Sequence, residues 1–495
     1  MKRSIAVGLV LAAAAAATGF AGAASAAPAS LEFGACPADV NVPGLQCSTV
    51  RVPVDYGNPS AGSVDIAVSR LAATNPSARR GVLLANPGGP GGVGLDWVPG
   101  RWATRLPAEV RARYDIIGFD PRGVGHSRAI QCVQPPYDFW SPPLPDPDLA
   151  ANRELNFERS AQYAQACAAN GTKLLSQATT ANMARDMDAI RAALGEQKIS
   201  YVGYSAGTYL GAVYSELFAS RVDRMILDSN IDPAPDDVWY QYNLNQAKAG
   251  GPRFNAYLDW LAAHHGTFGL GSSRSQVRAA WDGALAELQA SPRGPLGPYE
   301  FIEATFNVLY HELWWSDFGH PIADFVLRGD AAGLQGWAGD RRNVQFENQY
   351  AVYSAVTCQD APTPRDRAKI TADAQALENQ TPFAWYVQFF SACYDWRLPV
   401  RQPVKIHGIG VPPILMFNSA NDMVTPIEGA VSLHRALPGS VLVTEQNSGR
   451  HGVSYQPGIN NPEANRIANE YLLNGTLPTS DVTIPGHALP TPSAG

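Results

Sequence analysis

Residues 203–207 read Gly-Tyr-Ser-Ala-Gly, and their surroundings constrain the fold more than any other stretch of the chain. The apolar run 199–203 predicts a buried strand, and residues 208–218 predict a buried helix. A serine at a sharp turn from strand to helix is typical of a catalytic nucleophile, because flanking glycines let the backbone approach closely and the helix N-terminus stabilises negative charge. We therefore predict that Ser205 is a nucleophile. The alternative is a small-residue helix start that only packs.

Strand and helix patterns alternate on both sides of this turn. Further strands are predicted at 47–54, 64–71, 81–85, 114–119, 225–227, 413–417 and 441–444, and helices at 182–194, 427–437 and 462–473. Such alternation predicts an α/β fold, in which helices cover both faces of a mostly parallel sheet. Long helical patterns at 243–263, 275–289 and 298–313 interrupt it, so we expect a large helical cap inserted into the sheet.

The insertion explains a chain of 495 residues, which is long for one ordinary domain. We predict a first core part at 27–230, a helical cap at 231–404, a second core part at 405–483, and a frayed Pro-rich tail at 484–495. The formal net charge is -7 and basic clusters are lacking, which excludes nucleic acid as an expected partner.

The N-terminus predicts export. Lys2 and Arg3 precede an Ala-rich apolar stretch, and residues 24–26 form a small-x-small site. We predict a signal peptide at 1–26 and a secreted protein without membrane attachment after cleavage. A retained helical anchor is the alternative, although no stop-transfer pattern follows.

Six cysteines in an exported chain predict disulfides. Many connectivities are open, and we expect sequential neighbours because each such pair closes a short loop: Cys36 with Cys47, Cys132 with Cys167, and Cys358 with Cys393. A zinc site is the competing interpretation. It is weak because no C-x-x-C occurs and no histidine lies at ligand spacing beside a cysteine.

A nucleophilic serine needs a histidine base that is oriented by a carboxylate, and in this arrangement the chain order is Ser, acid, His. His451 follows the strand at 441–444 in a loop flanked by Gly449 and Gly452, and we predict that it is the base. Asp422 is the one carboxylate in the loop after the strand at 413–417, and we predict that it is the acid. Asp228, at the end of the strand at 225–227, is the second choice.

An oxyanion hole requires two backbone N–H donors. One is expected from Ala206, which follows the nucleophile. Residues 86–92 read Asn-Pro-Gly-Gly-Pro-Gly-Gly after an apolar strand, and either Gly88 or Gly89 is expected to supply the other. The alternative is a loop that only turns the chain.

Four segments together carry a resemblance to a known family: residues 86–91, residues 120–127 (Asp-Pro-Arg-Gly-Val-Gly-His-Ser), residues 203–207, and the loops of Asp422 and His451. The chain resembles the α/β-hydrolase peptidases related to proline iminopeptidases, and more closely the secreted tripeptidyl aminopeptidases of actinobacteria. This resemblance implies an α/β-hydrolase fold and a serine exopeptidase that removes tripeptides from free N-termini of peptides and proteins. It also implies a cap over Ser205 and no metal or cofactor. Pro87 stands where the iminopeptidase loop usually carries His.

An aminopeptidase must recognise the protonated α-amine, which an acid does best. The cap offers four acids: Asp232, Glu312, Glu347 and Asp360. Among the four we favour Asp360, because a disulfide at Cys358 would fix it. For each acid taken singly, a solvated or helix-capping role is the better interpretation. Three alternatives stay open: a prolyl aminopeptidase, a secreted esterase or amidase for small apolar substrates, and a binding protein on an inactive hydrolase fold. We expect a monomer.

Overall fold

The computed structural model describes residues 31–389, 391–456, 458 and 460–493. The signal peptide predicted at residues 1–26 lies outside these residues. Within them, no helix combines the length and the hydropathy that a membrane span requires.

One sheet organises the described part of the chain. Its nine strands are β1 (Gln46–Pro53), β2 (Ser63–Leu71), β3 (Gly81–Asn86), β4 (Tyr114–Phe119), β5 (Ile199–Tyr204), β6 (Val222–Asp228), β7 (Leu415–Ser419), β8 (Val441–Gln446) and β9 (Val482–Pro485). Their order is β1-β2-β4-β3-β5-β6-β7-β8-β9, with antiparallel pairs at the β1 edge and parallel pairs from β4 onward. Strands β4 and β5 are buried at every residue, as a parallel sheet covered on both faces requires.

Sixteen α-helices lie in the described residues. They are α1 (Trp97–Trp102), α2 (Ala108–Arg113), α3 (Ala150–Asn170), α4 (Thr180–Ala193), α5 (Ala206–Leu217), α6 (Val238–Ala263), α7 (His265–Phe268), α8 (Arg274–Ala290), α9 (Pro298–Val308), α10 (Trp315–Arg328), α11 (Ala332–Ala338), α12 (Val344–Asp360), α13 (Arg367–Gln375), α14 (Tyr386–Phe389), α15 (Ile427–Ala436) and α16 (Pro462–Asn474). Helices α4, α5 and α15 pack on one face of the sheet, and α1, α2 and α16 pack on the other. Helices α6 to α14 lie between β6 and β7 in the chain, which matches the predicted helical insertion.

Strand pairing brings the two glycine-rich loops together. β3 pairs with β4 on one side and with β5 on the other, and Asn86 lies opposite Gly203. The chain therefore changes direction across the sheet between β3 and β5. The carboxyl ends of two strands at such a point border the crevice in which ligands of α/β proteins bind.

The cap has a hydrophobic core of its own, built mainly from α6, α8, α9 and α10. Helix α3, which precedes β5, packs beside α14 and residues 392–395 of the cap. Glu347 of α12 also accepts hydrogen bonds from the backbone N–H groups of Cys132 and Val133. A segment before the nucleophile strand thus joins the cap layer, a contact that the sequence did not indicate. The domain bounds 27–230, 231–404 and 405–483 stay a prediction.

Three disulfides join the same cysteines that the sequence paired: Cys36 with Cys47, Cys132 with Cys167, and Cys358 with Cys393. Each bond closes a loop of 11 or 35 residues. No cysteine in the described residues is left for a zinc site.

The prediction of a frayed tail from residue 484 is wrong for the described residues. β9 pairs with β8, with Ile484 opposite Glu445. Farther on, the Trp260 side chain of α6 donates a hydrogen bond to the carbonyl of Pro490 (2.9 Å), and Ser493 N–H donates to Ser316 Oγ (2.9 Å). The tail therefore runs from the sheet onto the cap. Proline content indicated disorder, but partners distant in the chain hold the segment.

The Asp-Pro-Arg motif at residues 120–122 braces the core. The Asp120 carboxylate accepts hydrogen bonds from the N–H groups of Gly94, Leu95 and His126. Arg122 makes a two-pronged ion pair with Asp186 of α4 (2.6 and 2.7 Å), and both side chains are fully buried. Asp120 thus holds the segment that follows the oxyanion loop, and Arg122 joins α4 to the end of β1.

Candidate active site

Ser205 stands at the turn between β5 and α5 with φ 55° and ψ -127°. A positive φ is costly for a residue with a side chain, and it is retained where the surroundings impose it. A Cβ at Gly203 would lie 2.3 Å from the carbonyl oxygen of Gly207, and one at Gly207 would lie 2.8 Å from that of Asn86. Both glycines of the motif are therefore required for the turn that presents the serine.

Asp422 and His451 form a hydrogen-bonded pair. His451 Nδ1 lies 2.9 Å from Asp422 Oδ2. The other carboxylate oxygen, Oδ1, accepts the N–H groups of Val424 (2.8 Å) and Thr425 (3.1 Å), and Thr425 Oγ1 donates to Oδ2 (2.8 Å). The Asp422 side chain is fully buried, whereas that of His451 is 15% exposed. A carboxylate that accepts a hydrogen bond from Nδ1–H keeps the proton on Nδ1. Nε2 is then unprotonated and can take a proton from a nucleophile.

Asp228, the second choice for the acid, has a different place. Its backbone carbonyl accepts the N–H of Ser205 (3.0 Å), and its carboxylate accepts the N–H groups of Val453 and Ser454 as well as Ser454 Oγ. Burial raises the pKa of Asp228 to about 6. Asp228 therefore ties the turn of Ser205 to the loop that carries His451.

The loop at residues 86–92 lies against the Ser205 turn, with Gly88 at φ 95° and Gly89 at φ 115°. Gly88 N–H donates to Asn86 Oδ1 (2.9 Å), so it is already used. In the described part of the chain, the N–H groups of Gly89 and Ala206 have no such partner. This favours Gly89 over Gly88 as the second donor, a distinction that depends on the direction of each N–H and that the sequence could not give.

A methyl group at Gly88 should disable this loop. In Gly88→Ala the new Cβ would lie 2.4 Å from the carbonyl oxygen of Tyr204 and 2.9 Å from Ser205 Cβ. The loop must move away from Ser205, and the N–H of Gly89, the favoured oxyanion donor, moves with it. We expect kcat to fall by about 10²- to 10³-fold, the usual cost of losing one oxyanion donor. Steady-state kinetics on folded protein measures this, and a variant with more than a third of wild-type kcat would contradict it.

Arg450, beside the base, makes an internal ion pair. Its guanidinium donates to both carboxylate oxygens of Glu445 (2.8 and 2.6 Å), and neither side chain is exposed. Asn461 and Ser419 also donate to Glu445. The sequence analysis assigned no role to Arg450, although Glu445, an acid five residues earlier, was a usable signal. The pair fixes the start of the His451 loop to β8.

The cap acid favoured for amine recognition does not face the site. Asp360 accepts the N–H of Thr180 (3.0 Å), at the start of α4, and is buried there. Glu347 is equally occupied, since it accepts hydrogen bonds from Trp140 Nε1 and Tyr163 as well as from two N–H groups. The structure therefore does not support Asp360 as the amine ligand. The Asp360 carboxylate caps helix α4. The disulfide at Cys358 indicated that Asp360 would be held in place, but it did not indicate which way its side chain points.

Replacement of Asp360 should change the pH dependence of stability. Burial raises the pKa of Asp360 to about 6, so the folded state holds this proton more tightly than the unfolded state does. That contribution to the free energy of unfolding is present below about pH 4 and is lost as pH rises through 6. Asp360→Asn still accepts from Thr180 and cannot ionise. We expect the free energy of unfolding of the variant minus that of wild type to be larger at pH 8 than at pH 4. Denaturant unfolding at the two pH values measures this difference.

The same variant also tests the assignment of Asp360. Its kcat/KM on a substrate with a free α-amine should stay within about threefold of wild type, because the carboxylate faces α4. A tenfold loss of kcat/KM would indicate that Asp360 does bind the α-amine.

A row of aromatic rings leads away from the base into the cap. The Tyr310 ring lies 5.5 Å from the His451 ring, Phe306 lies 5.9 Å from Tyr310, and Tyr386 lies 5.1 Å from Phe306. The Tyr386 hydroxyl donates to Glu303 Oε1 (3.3 Å). These residues form an apolar wall that ends in a carboxylate.

A cavity of about 780 Å³ lies between the cap and the carboxyl ends of β6, β7 and β8. Asp422 and Thr425 line it from the core, and Arg253 and Glu312 line it from the cap. Two of the four cap acids considered above, Asp232 and Glu312, therefore face this cavity. Among the described residues, no group of three or more His, Cys, Asp or Glu side chains is placed to hold a metal ion.

Comparison with known proteins agrees with this architecture. The family model for the alpha/beta hydrolase fold matches residues 81–455. A tripeptidyl aminopeptidase of Streptomyces lividans is 38% identical over 484 residues, which cover 95% of this chain and 89% of that protein. The serine protease Hip1 of Mycobacterium tuberculosis is 31% identical, covering 89% and 88%, and a carboxylesterase B of the same species is 31% identical, covering 88% and 86%. The chain belongs to the α/β-hydrolase family.

Proposed function

We propose that this protein is a secreted serine exopeptidase that releases tripeptides from the free N-termini of peptides and proteins. The observation that carries the proposal is the Asp422–His451 pair, on a loop that Asp228 ties to the strained turn of Ser205; these are the parts of an acyl-transfer site. The tripeptidyl aminopeptidase of Streptomyces lividans supports the choice of substrate.

The proposed reaction has two steps. Ser205 Oγ attacks the carbonyl carbon of the third residue while His451 Nε2 takes the hydroxyl proton, and the N–H groups of Gly89 and Ala206 stabilise the oxyanion. The tetrahedral intermediate collapses when His451 returns the proton to the leaving amine, which frees the shortened chain. His451 Nε2 then takes a proton from the water that attacks the acyl carbonyl, and it returns that proton to Ser205 Oγ as the tripeptide leaves. Asp422 keeps the imidazole in the required tautomer throughout.

Glu303 is the proposed ligand of the substrate's α-amine, in place of Asp360. It stands seven residues before Tyr310, whose carbonyl accepts the N–H of His451 (2.8 Å). Helix α9 ends at Val308, so the helical part from Glu303 rises about 7.5 Å at 1.5 Å per residue, and two further residues lead to Tyr310. Three residues of extended substrate span about 10 Å. We expect this spacing to hold the carboxylate of Glu303 about the length of one tripeptide from the base.

Charge also favours a cation at this place. Arg341 contacts both Glu300 and Glu303, so two carboxylates share one guanidinium. Arg341 and Glu300 are almost fully buried, while the Glu303 side chain is 19% exposed. The negative charge that Arg341 does not balance therefore lies where a ligand can reach it, at Glu303. A protonated amine can bind there with charge-assisted hydrogen bonds.

Four substrates test the function: a tripeptidyl anilide, its N-acetylated form, a single-residue anilide and a simple ester. Acetylation removes the charge that Glu303 would bind, and we expect kcat/KM to fall by at least about 100-fold, as for a charged pair left unpaired. Equal cleavage of the free and acetylated tripeptides would exclude an aminopeptidase. The single-residue anilide is prolyl anilide, and a preference for it would support a prolyl aminopeptidase. A preference for the ester would support an esterase, and no turnover of any substrate would support a binding protein.

Glu303→Gln localises the amine site. The variant should lose about 10- to 100-fold in kcat/KM on the free tripeptide and little on the acetylated one, because only the former carries the charge. Glu287→Gln is the matched control, since Glu287 is also an Arg-paired glutamate of the cap, bound to Arg293 on an exposed surface. Equal losses in both variants would exclude Glu303 as the ligand.

The cellular setting is part of the proposal. Three disulfides support an oxidising compartment, and with the N-terminal sequence pattern they support export after removal of residues 1–26. We propose a monomer without membrane attachment or nucleic-acid partner. N-terminal sequencing of secreted protein that begins at Ala27, and a monomer mass by light scattering, are the expected results.

A further inference from the structure

The loop of His451 lies between core and cap and receives hydrogen bonds from both. From the core, Ser229 Oγ accepts the N–H of Gly452 (2.7 Å), and the next two N–H groups go to Asp228. From the cap, the Tyr310 carbonyl accepts the N–H of His451 (2.8 Å), and Glu312 Oε1 accepts that of Gly449 (2.8 Å). Two cap residues in positions 310 and 312 thus hold two loop residues in positions 449 and 451.

Glu312 forms a buried ion pair with Arg253 of α6. Glu312 Oε1 lies 2.8 Å from Arg253 Nη1, and the two side chains are 1% and 4% exposed. Arg253 Nε donates to the Leu309 carbonyl (3.0 Å), and the guanidinium lies 4.8 Å above the Trp315 ring. Arg253 therefore fixes Glu312 by holding the backbone before it and the carboxylate itself.

Glu312 stays ionised in this setting. Its burial opposes ionisation, but the contacts with His487, Arg253 and the N–H of Gly449 outweigh that effect and hold its pKa well below the usual range. His487 Nε2 lies 3.5 Å from Glu312 Oε2. The loop is also packed tightly against the pair, because a Cβ at Gly449 would lie 2.5 Å from the Arg253 guanidinium.

We infer that Glu312, fixed by Arg253, is a positioning residue that sets the place of His451 from the cap. The inference rests on the proposed function of His451 as the base. The core holds the loop after the base, at Gly452 to Ser454, whereas the backbone N–H groups of Gly449 and of His451 itself are held from the cap. A displacement of about 1 Å at a reacting group costs on the order of 100-fold in rate. The cap therefore contributes to the chemistry itself and not only to the choice of substrate.

Two variants separate positioning from general stability. Glu312→Gln keeps an oxygen for Gly449 but removes the charge that holds Arg253. Asp186→Asn is the control, because Asp186 is likewise a buried carboxylate paired with an arginine, Arg122, and its other hydrogen-bond partner among the described residues is Tyr56. Both should lower the unfolding temperature, since each leaves a buried guanidinium without its anion.

The readouts are kcat, KM and the rate at which a fluorophosphonate labels Ser205. In Glu312→Gln we expect kcat and the labelling rate to fall about 30- to 100-fold, with KM within about threefold of wild type. In Asp186→Asn all three should stay within about threefold. Labelling and kcat near wild type in folded Glu312→Gln, or equal losses in both variants, would overturn the inference.

The labelling assay also separates this inference from the proposed function. A protein that reacts with fluorophosphonate but cleaves no peptide would contradict the peptidase proposal and leave the role of Glu312 intact. Labelling of Glu312→Gln at the wild-type rate would contradict the role of Glu312 whatever the substrate. If Glu312→Gln does not fold, the double variant Arg253→Met with Glu312→Gln removes the unpaired charge, and the same thresholds apply to it.

Discussion

Ser205→Ala is expected to lower kcat/KM on a tripeptidyl anilide by about 10⁵- to 10⁶-fold, which is the scale of nucleophile loss in serine peptidases. The reason is that no other group can form the acyl bond, so only binding and oxyanion stabilisation remain. The fold should persist, because the φ of 55° is imposed by the glycines around the turn, and alanine carries no larger side chain there.

Active-site titration with fluorophosphonate accompanies the rate measurement for Ser205→Ala. The variant should take up no label while its circular dichroism and unfolding temperature match wild type. Residual activity above about 1% in a preparation free of wild-type enzyme would mean that Ser205 is not the nucleophile.

Asp422→Asn is expected to lower kcat by about 10⁴-fold. An asparagine can still accept the N–H groups of Val424 and Thr425, so the loop should stay in place. Its amide can also donate to His451 Nδ1, which would stabilise the tautomer that carries the proton on Nε2. An imidazole in that form cannot take the proton of Ser205, and the chemical step fails although the geometry survives.

Asp228→Asn distinguishes the two acids. Within the described residues, Asp228 accepts backbone N–H groups of the His451 loop and makes no hydrogen bond with the imidazole. Its variant should therefore lose less than about 30-fold in kcat and should mainly lose stability. A larger loss in Asp228→Asn than in Asp422→Asn, measured on folded proteins, would reverse the assignment.

The sequence predicted the parts of the site that depend on local patterns and chain order. The strand and helix around Ser205 follow from hydrophobic periodicity, and every strand except β9 falls on a predicted run. Asp422 and His451 were predicted from their place after particular strands, and the structure brings the two side chains into hydrogen-bond contact. The disulfide pairs were predicted because each joins neighbours in the chain.

What the sequence missed depends on contacts between distant segments. Nothing near Asp360 reveals that its partner is Thr180, 180 residues earlier in the chain. Likewise, Glu312 gave no sign of its bond to Gly449, and the tail gave no sign of its contacts with Trp260 and Ser316. Side-chain direction and cross-domain partners require the assembled fold, and a pattern of residue types does not contain them.

The placement of the disulfides has a consequence for turnover. Each of the three bonds joins cysteines within one local segment, so none of them crosslinks the cap to the sheet. An opening of the cap to admit a long polypeptide would therefore break no disulfide. Each opening would also withdraw Tyr310 and Glu312 from the His451 loop. The open enzyme would then be catalytically inactive. The acyl-enzyme would have to be hydrolysed in the closed state before the tripeptide could leave.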